Sequence, residues 1–197
     1  MIRTFVAVEL DASLRQALAQ AQGQLRSRLQ QTIGPGVRMQ WVKPESIHLT
    51  LKFLGDIPEE RVGEIRAALT SAAARHVRFP VQAEGLGAFP DGRAPRVLWV
   101  GLLNLGGDLT RLAADVEAAL VAIGFAPESK PFHPHLTLAR IKEQSRDVGR
   151  ALSQEGLLEQ EMKLGSLPVE AVSLMKSELR PSGAVYTELC RLSLKEA

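Results

Sequence analysis

The sequence predicts an α+β protein built as two pseudo-symmetric lobes, and two observations carry that reading. Strand and helix signals follow one another in the order β-α-β-β-α-β-β-α-β-α-β-β, with strands paired through short turns and helices left over to cover them. That is the pattern of an α+β fold. The second observation is an internal repeat: Lys43 to Leu51 laid over Lys130 to Leu138 matches the Lys-Pro lead-in and a whole His-Leu-Thr-Leu segment, six of nine positions. A duplicated strand implies a duplicated lobe, so the two segments are expected to face one another across a central groove.

Taken in order, Thr4 to Leu10 is rich in Phe and Val and reads as a first strand. Asp11 suits a helix N-cap, and Leu14, Leu18, Ala21, Leu25 and Leu29 recur at helical spacing, predicting an amphipathic helix to about Gln31. Ile33-Gly34-Pro35-Gly36 breaks it. Val37 to Val42 is a strand, and Lys43-Pro44 leads into the strand Ile47 to Leu54, which Gly55-Asp56 is expected to end. Pro58 suits a first helical position, with Val62, Ile65, Leu69 and Ala72 as the apolar stripe behind it. Val77 to Ala83 and Arg96 to Leu102 are expected strands joined by a Gly- and Pro-rich loop. Within that loop Gly85-Leu86-Gly87 lacks the third glycine and the following helix of a dinucleotide fingerprint.

Gly106-Gly107-Asp108 precedes a helix carrying Leu109, Leu112, Val116, Leu120 and Ile123. A helix N-terminus can hold phosphate, but Asp108 would repel one, and a plain turn with an Asp cap is the simpler reading. The second motif strand spans Phe132 to Ile141, and a short helix around Arg146 to Glu155 closes on Gly156. Val169 to Leu179 and Val185 to Leu194 form a terminal strand pair about the turn Arg180-Pro181-Ser182-Gly183. No linker is long enough to separate independent domains, so residues 1–197 are read as one domain of two lobes.

Successive side chains on a strand point to opposite faces, so His48 and Thr50 share one face while Leu49 and Leu51 share the other. His135 and Thr137 repeat the arrangement. A single His-x-Thr is readily a core imidazole hydrogen-bonded inside a strand. Two copies behind the same lead-in, in a chain with four His and seven Thr, are a shared device.

With these residues the chain resembles the 2H phosphoesterases, defined by two His-x-Thr/Ser motifs, and within them the bacterial and archaeal RNA 2′,3′-cyclic phosphodiesterases, also called 2′-5′ RNA ligases. The resemblance covers nearly the whole chain. It runs from Arg3-Thr4-Phe5-Val6-Ala7-Val8 through Leu51-Lys52-Phe53-Leu54-Gly55 and Pro134-His135-Leu136-Thr137-Leu138-Ala139-Arg140 to Ser177-Glu178-Leu179 and Gly183-Ala184-Val185-Tyr186. It implies two similar lobes with antiparallel sheets and covering helices, their His-x-Thr strands lining a central groove. It also implies metal-independent hydrolysis of RNA 2′,3′-cyclic phosphate ends to a 2′-phosphomonoester, with reversible 2′-5′ ligation as the same chemistry run backwards. His48 would be the proton donor and His135 the proton acceptor, Thr50 and Thr137 would bind phosphate, and Arg140, five residues after the second His, would add a cation.

The residue types suit that chemistry. Opening a cyclic phosphate needs an activated water on one side of phosphorus and a proton for the leaving oxygen on the other. An imidazole, with an ordinary pKa of about 6.5, can serve at either end, and symmetry does not say which does which. Threonine hydroxyls can donate to the non-bridging oxygens. Strict alternation puts Arg140 on the face away from His135, so the strand must end, twist or bulge before it if the guanidinium is to reach the phosphate. Lys52 shares the parity of His48 and is a rival cation. Phe5, Trp41, Phe53 and Tyr186 are candidate base-stacking aromatics, as against ordinary core, with Phe132 also beside the groove.

Composition limits the alternatives. At 45% hydrophobic and 23% charged, with no apolar run near 18 residues, the chain reads as a globular protein without a membrane span, and no secretory signal is visible, so the cytoplasm is the expected compartment. A net charge of +2 points to local rather than extensive RNA contact, although seventeen Arg against seven Lys favour phosphate-friendly guanidinium groups, a bias that genome composition produces equally well. Cys190 reads as a core thiol and His76 as an exposed residue. No cofactor and no metal is expected, since His133 and His135 have no carboxylate or third His near them in sequence. The expected partner is RNA ending in a 2′,3′-cyclic phosphate, tRNA fragments among such ends, or a cyclic nucleotide, met by a monomer. Two rival functions stay open: a phosphodiesterase for a small cyclic nucleotide or ADP-ribose cyclic phosphate, and a non-catalytic RNA-end binder.

Overall fold

The computed structural model describes residues 1–180 and 183–196. Its strands are β1 (Ile2–Glu9), β2 (Arg38–Trp41), β3 (His48–Ile57), β4 (Phe79–Phe89), β5 (Val97–Leu103), β6 (His135–Glu143), β7 (Lys163–Val169), β8 (Ala171–Arg180) and β9 (Gly183–Ser193). Its helices are α1 (Ala12–Thr32), α2 (Val62–Ala73), α3 (Asp108–Ala122) and α4 (Ser145–Gln154). The strands form one sheet in the order β7-β4-β5-β6-β3-β1-β8-β9, with β2 paired to β6, and every ladder is antiparallel.

Apart from β2, the sheet is two four-strand halves joined through their motif strands. The β3 and β6 strands, which carry the two motifs, meet only through the pair Leu49 and Leu136. On one side lie β3-β1-β8-β9 and on the other β6-β5-β4-β7, so each half runs outward from its motif strand. Helices α2 and α3 pack on each other and against β8, β9 and β3, whereas α1 and α4 lie together over the half that holds β7. Helix α1 follows β1 yet covers the other half. That crossover ties the lobes together.

Burial explains why the helices hold. Leu14, Leu18, Leu25 and Leu29 of α1 and Leu109, Leu112 and Leu120 of α3 are all but fully buried, in one apolar cluster that also takes in both motif leucine pairs. Each such side chain contributes about 1.5–3 kcal/mol on transfer from water. Asp11 caps α1 by accepting from Leu14 N at 2.8 Å. On the opposite face of the sheet Phe5, Ala7 and Met175 form a small second cluster, with Tyr186 against it.

Several local expectations change. The β7 strand has no counterpart in the sequence reading, since Lys-Leu-Gly-Ser-Leu-Pro-Val carries glycine and proline and makes a weak strand signal; it holds its place by pairing with the edge of β4. Gly55-Asp56 does not end its strand: Gly55, at φ +74°, follows a bulge at Leu54, and β3 runs on to Ile57. Gly85-Leu86-Gly87 lies inside β4 and not in a loop. Gly85 there is a bulge at φ +74°, and Gly87 leaves room for the Trp99 ring, into which a Cβ would run. Pro58 precedes a 3₁₀ turn, Glu59–Arg61, before α2 begins. Gly107, not Asp108, is the cap of α3, and Asp108 pairs with Arg111. His76 is not exposed: its Nε2 and Asp115 Oδ2 are 2.8 Å apart, and only 11% of its side chain is accessible. In the expected terminal turn, Pro181 and Ser182 lie outside the described residues.

Candidate active site

The site is built where the two motif strands pair. Leu49 faces Leu136 in an antiparallel register, and continuing that register by one residue either way sets His48 opposite Thr137 and Thr50 opposite His135. Leu49 and Leu136 are buried in the main core, so alternation turns the two His and two Thr to the other face, where all four are half-buried.

Both imidazoles are held in the same way. His48 Nδ1 is 2.9 Å from the Ser46 carbonyl and His135 Nδ1 is 2.7 Å from the His133 carbonyl, in each case two residues upstream. A carbonyl only accepts, so Nδ1 carries the proton and donates in both rings. That leaves Nε2 as the free nitrogen, able to accept a proton when the ring is neutral and to give one when it is charged.

A bulge then sets what stands beside the imidazoles. In β3 the pairs Ala7 with Thr50 and Val6 with Lys52 skip Leu51, and in β6 the pairs Trp99 with Thr137 and Leu98 with Ala139 skip Leu138. The extra residue is the fourth of His-Leu-Thr-Leu in both copies. It reverses the alternation, so the residue five places after each His returns to the groove face: Phe53 in one lobe and Arg140 in the other. Lys52 is turned the other way. It is 3% exposed, its Nζ donating to Glu117 Oε2 at 2.6 Å and to the Ala126 carbonyl at 2.9 Å, which removes it as a groove cation.

The surroundings of the two imidazoles differ. Phe5 stacks on His48 with centroids 4.6 Å apart, and Tyr186 meets the same ring edge-on at 5.0 Å. Burial among these aromatics drives the His48 pKa down to about 4, with the charges of Arg140 and His135 acting in the same direction and the Ser46 carbonyl against it. His135 is also lowered, by burial first, then by the charges of His133 and Arg140 against the pull of the His133 carbonyl. Its neighbours are Phe89, edge-on at 5.1 Å, and Trp99 at 6.1 Å, both also packed against His133. Burial raises the Tyr186 pKa, while Arg140 and Arg3 oppose the shift. Arg140, exposed and without an ion-pair partner among the described residues, thus acts electrostatically on His48, His135 and Tyr186 together.

Of the candidate stacking residues, Phe5 is 3% exposed and serves as wall, whereas Phe53 at 62% is free to receive a ring. Tyr186 lies between them in accessibility. Trp41 is a correction: it pairs with Ala139 of the core face, packs against the main apolar cluster and carries Arg26 of α1 over its ring at 5.2 Å. It belongs to the layer beneath α1. Sequence reasoning missed Phe89, Trp99 and Arg3, which reach the site only through cross-strand pairing. Among the described residues no group of three His, Cys, Asp or Glu is placed to hold a metal ion, and no helix is long and apolar enough to cross a membrane.

A curled antiparallel sheet whose two repeats each present a His-x-Thr strand to one groove defines a two-histidine phosphoesterase. The chain belongs to the LigT-like phosphoesterase family, whose profile matches residues 8–99 and 104–186. A relative from Aeropyrum pernix, named RNA 2′,3′-cyclic phosphodiesterase, is 40% identical over 167 residues, which is 83% of this chain and 91% of that protein. One of the same name from Methanothermobacter thermautotrophicus is 34% identical over 189 residues, 95% of this chain and 96% of its own. Among solved structures, a protein of Thermus thermophilus superposes with a TM-score of 0.78 at 33% identity over 99% of both chains. E. coli LigT complexed with 3′-AMP gives 0.69 at 26% over 98% of both.

Proposed function

We propose that this protein hydrolyses RNA 2′,3′-cyclic phosphate ends to 2′-phosphomonoesters, using His48 and His135 as an acid and a base and no metal. The observation that carries the reading is the arrangement of two Nδ1-anchored imidazoles with free Nε2 atoms, a threonine beside each, on one face where the lobes meet. The names and coverage of the relatives support the substrate class. Water attacks phosphorus as its proton passes to His135 Nε2; the P–O3′ bond breaks, and His48 Nε2 protonates the departing O3′. Thr50, Thr137 and Arg140 hold the non-bridging oxygens, where charge accumulates. Phe53 and Tyr186 receive the terminal base.

His48 as donor requires a proton that its free-state pKa of about 4 denies it at neutral pH. The anionic substrate supplies the compensation, since a negative charge beside an imidazole favours its charged form. Binding is therefore expected to take up a proton. The pH profile of kcat/KM cannot assign the roles, because exchanging acid and base gives the same two limbs. A bridging sulfur at the 3′ position can, since a thiolate leaves without protonation.

The test is a short RNA ending in 2′,3′-cyclic phosphate incubated with purified protein in EDTA, and the position of the product phosphate identified. Turnover giving a 2′-phosphate supports the reading; turnover only after metal is added overturns it. With the 3′-thio substrate, His48→Ala is expected to recover most of its lost rate and His135→Ala none; the reverse pattern would exchange their roles. A monomer of one domain, acting on tRNA fragments among other RNA ends in the cytoplasm, completes the proposal; light scattering gives the mass in solution.

A further inference from the structure

Beyond the catalytic groove, at the far end of β6, lies a cavity of about 560 Å³ lined by Arg93, Ala94, Gln144, Arg146, Asp147 and Arg150. Three of its six lining residues are arginines. Its single carboxylate, Asp147, is already paired with Arg150. Arg96 and Lys142 stand beside it, Arg96 Nη1 donating to the Lys142 carbonyl at 3.5 Å, and both are exposed. Among the described residues Arg93, Arg96, Lys142 and Arg146 form no ion pair, although most other cations of the chain are matched by a carboxylate.

The patch is fixed rather than loose. Asp91 Oδ1 accepts from the backbone N–H of Arg93 at 2.8 Å and of Ala94 at 3.2 Å, which holds the loop in a turn. Gly149 of α4 lets the Arg93 carbonyl lie directly on the helix, where a Cβ would collide with it. Arg96 O receives Ile141 N at 2.9 Å, tying the same loop to β6.

We infer that this basic patch binds the backbone phosphates of the RNA upstream of the cyclic end, so that the substrate runs from Arg140 past Lys142 to Arg146 and Arg93. The inference rests on the reading of the groove as an RNA-end phosphodiesterase. From Arg140 to Gln144 is four residues of strand, ~13 Å at ~3.3 Å each, or about four nucleotides at ~3.4 Å per stacked step. A cyclic phosphate can only be the 3′ terminus, so the chain leaves the groove in its 5′ direction alone, and a single exit track is what it needs. Unmatched guanidinium groups beside a site that takes a polyanion are complementary to it.

The test compares a nucleoside 2′,3′-cyclic monophosphate with an RNA of about eight nucleotides ending in the same group, the second long enough to reach the patch and the first not. Arg93→Gln and Arg146→Gln, each exposed and outside the groove, are expected to lower kcat/KM on the oligomer by about two- to fivefold apiece at low salt and to leave the mononucleotide unchanged. The dependence of log kcat/KM on log salt should flatten by about 0.7 for each phosphate that the variant no longer neutralises. Variants that keep the wild-type ratio between the two substrates, whether both fall together or neither falls, overturn the track while the catalytic reading stands. Turnover of neither substrate by the wild type defeats the catalytic reading and the track with it.

Discussion

Gln22 offers a direct test of how the groove is assembled. It is 5% exposed on the inner face of α1, and its Nε2 donates to the carbonyls of Val42 at 2.8 Å and Leu138 at 2.9 Å. Leu138 is the bulged residue that returns Arg140 to the groove, so Gln22 holds the backbone whose irregular path places the cation. In Gln22→Leu the Leu138 carbonyl keeps its bond from Val42 N at 2.9 Å, while the Val42 carbonyl loses its side-chain donor. Val42 is half-buried, so stripping its carbonyl of that partner costs at most the about 1–3 kcal/mol of a buried acceptor, and for a chain of this size each kcal/mol lowers Tm by about 2–4 °C. If the bulge relaxes, Arg140 swings from the phosphate position proposed for it and kcat/KM falls by up to the value of one charge-assisted contact, about 1.5–3 kcal/mol or roughly ten- to a hundredfold. The decisive assay is a double-mutant cycle with Arg140→Ala at a temperature where all four proteins are folded. Gln22→Leu should cost little activity once Arg140 is gone. An undiminished activity loss in the Arg140→Ala background, or no loss in either, would refute the positioning argument even if Tm falls as expected.

The remaining expectations concern single residues. His48 is neutral in the fold down to about pH 4 but ordinary at 6.5 when unfolded, so the unfolded chain takes the proton first. Its stability contribution is complete above about pH 6.5 and is lost as pH falls toward 4, at most ~3 kcal/mol; chemical denaturation across that window should show His48→Gln with a shallower acid decline than the wild type, and an identical decline would contradict the burial account. Lys52→Met, with its partner Glu117 still partly open to water, should lower stability by about 1–3 kcal/mol and leave kcat per folded molecule intact, whereas a large loss of kcat would return Lys52 to the reaction. Gly87→Ala should push the Trp99 ring toward His135 and Thr137, lowering activity and shifting tryptophan emission; normal activity with unchanged emission would mean that the strand yields instead.

The groove was legible in the sequence because its essentials are local. His-x-Thr needs only the two-residue period of a strand, and the repeated Lys-Pro lead-in marked both copies without any knowledge of pairing. Once the resemblance implied Arg140 in the groove, parity required the strand to end, twist or bulge before it, and the structure has a bulge at Leu138. What stayed hidden depends on partners distant in sequence. Lys52 obeyed the same parity rule and fails it, because the bulge at Leu51 comes first and Glu117 waits on the other side. Trp41 reads like Phe53, an aromatic beside a motif strand, until its pairing with Ala139 puts it under α1. Phe89 and Trp99 lie far in sequence from either motif, and β7, broken by glycine and proline, exists only by virtue of the β4 edge it covers.

The repeat poses the deeper question of how two identical motifs would take the opposite roles proposed for them. Matching the lobes through their bulges pairs Ala7 beside Thr50 with Trp99 beside Thr137, and Phe53 with Arg140. Both imidazoles have aromatic neighbours, Phe5 and Tyr186 at His48 and Phe89 and Trp99 at His135, and the halves differ in carrying Phe53 on one side and Arg140 on the other, although His, Leu, Thr and Leu coincide. Phe5 and Tyr186 bury His48 more deeply than its counterpart, and that desolvation drives its pKa to about 4. A group so placed holds a proton at neutral pH only while an anion is bound, which suits the proposed donor. Burial first, then the charges of His133 and Arg140, keep His135 below its ordinary pKa, which suits the group proposed to accept from water. If the proposed division of labour resides in the residues around the motifs, exchanging Phe53 and Arg140 should disturb the acid and base roles more than exchanging Thr for Ser within either motif. The 3′-thio substrate reads that directly: in the Phe53→Arg, Arg140→Phe protein the sulfur rescue of His48→Ala should weaken, and an unchanged rescue would place the asymmetry elsewhere.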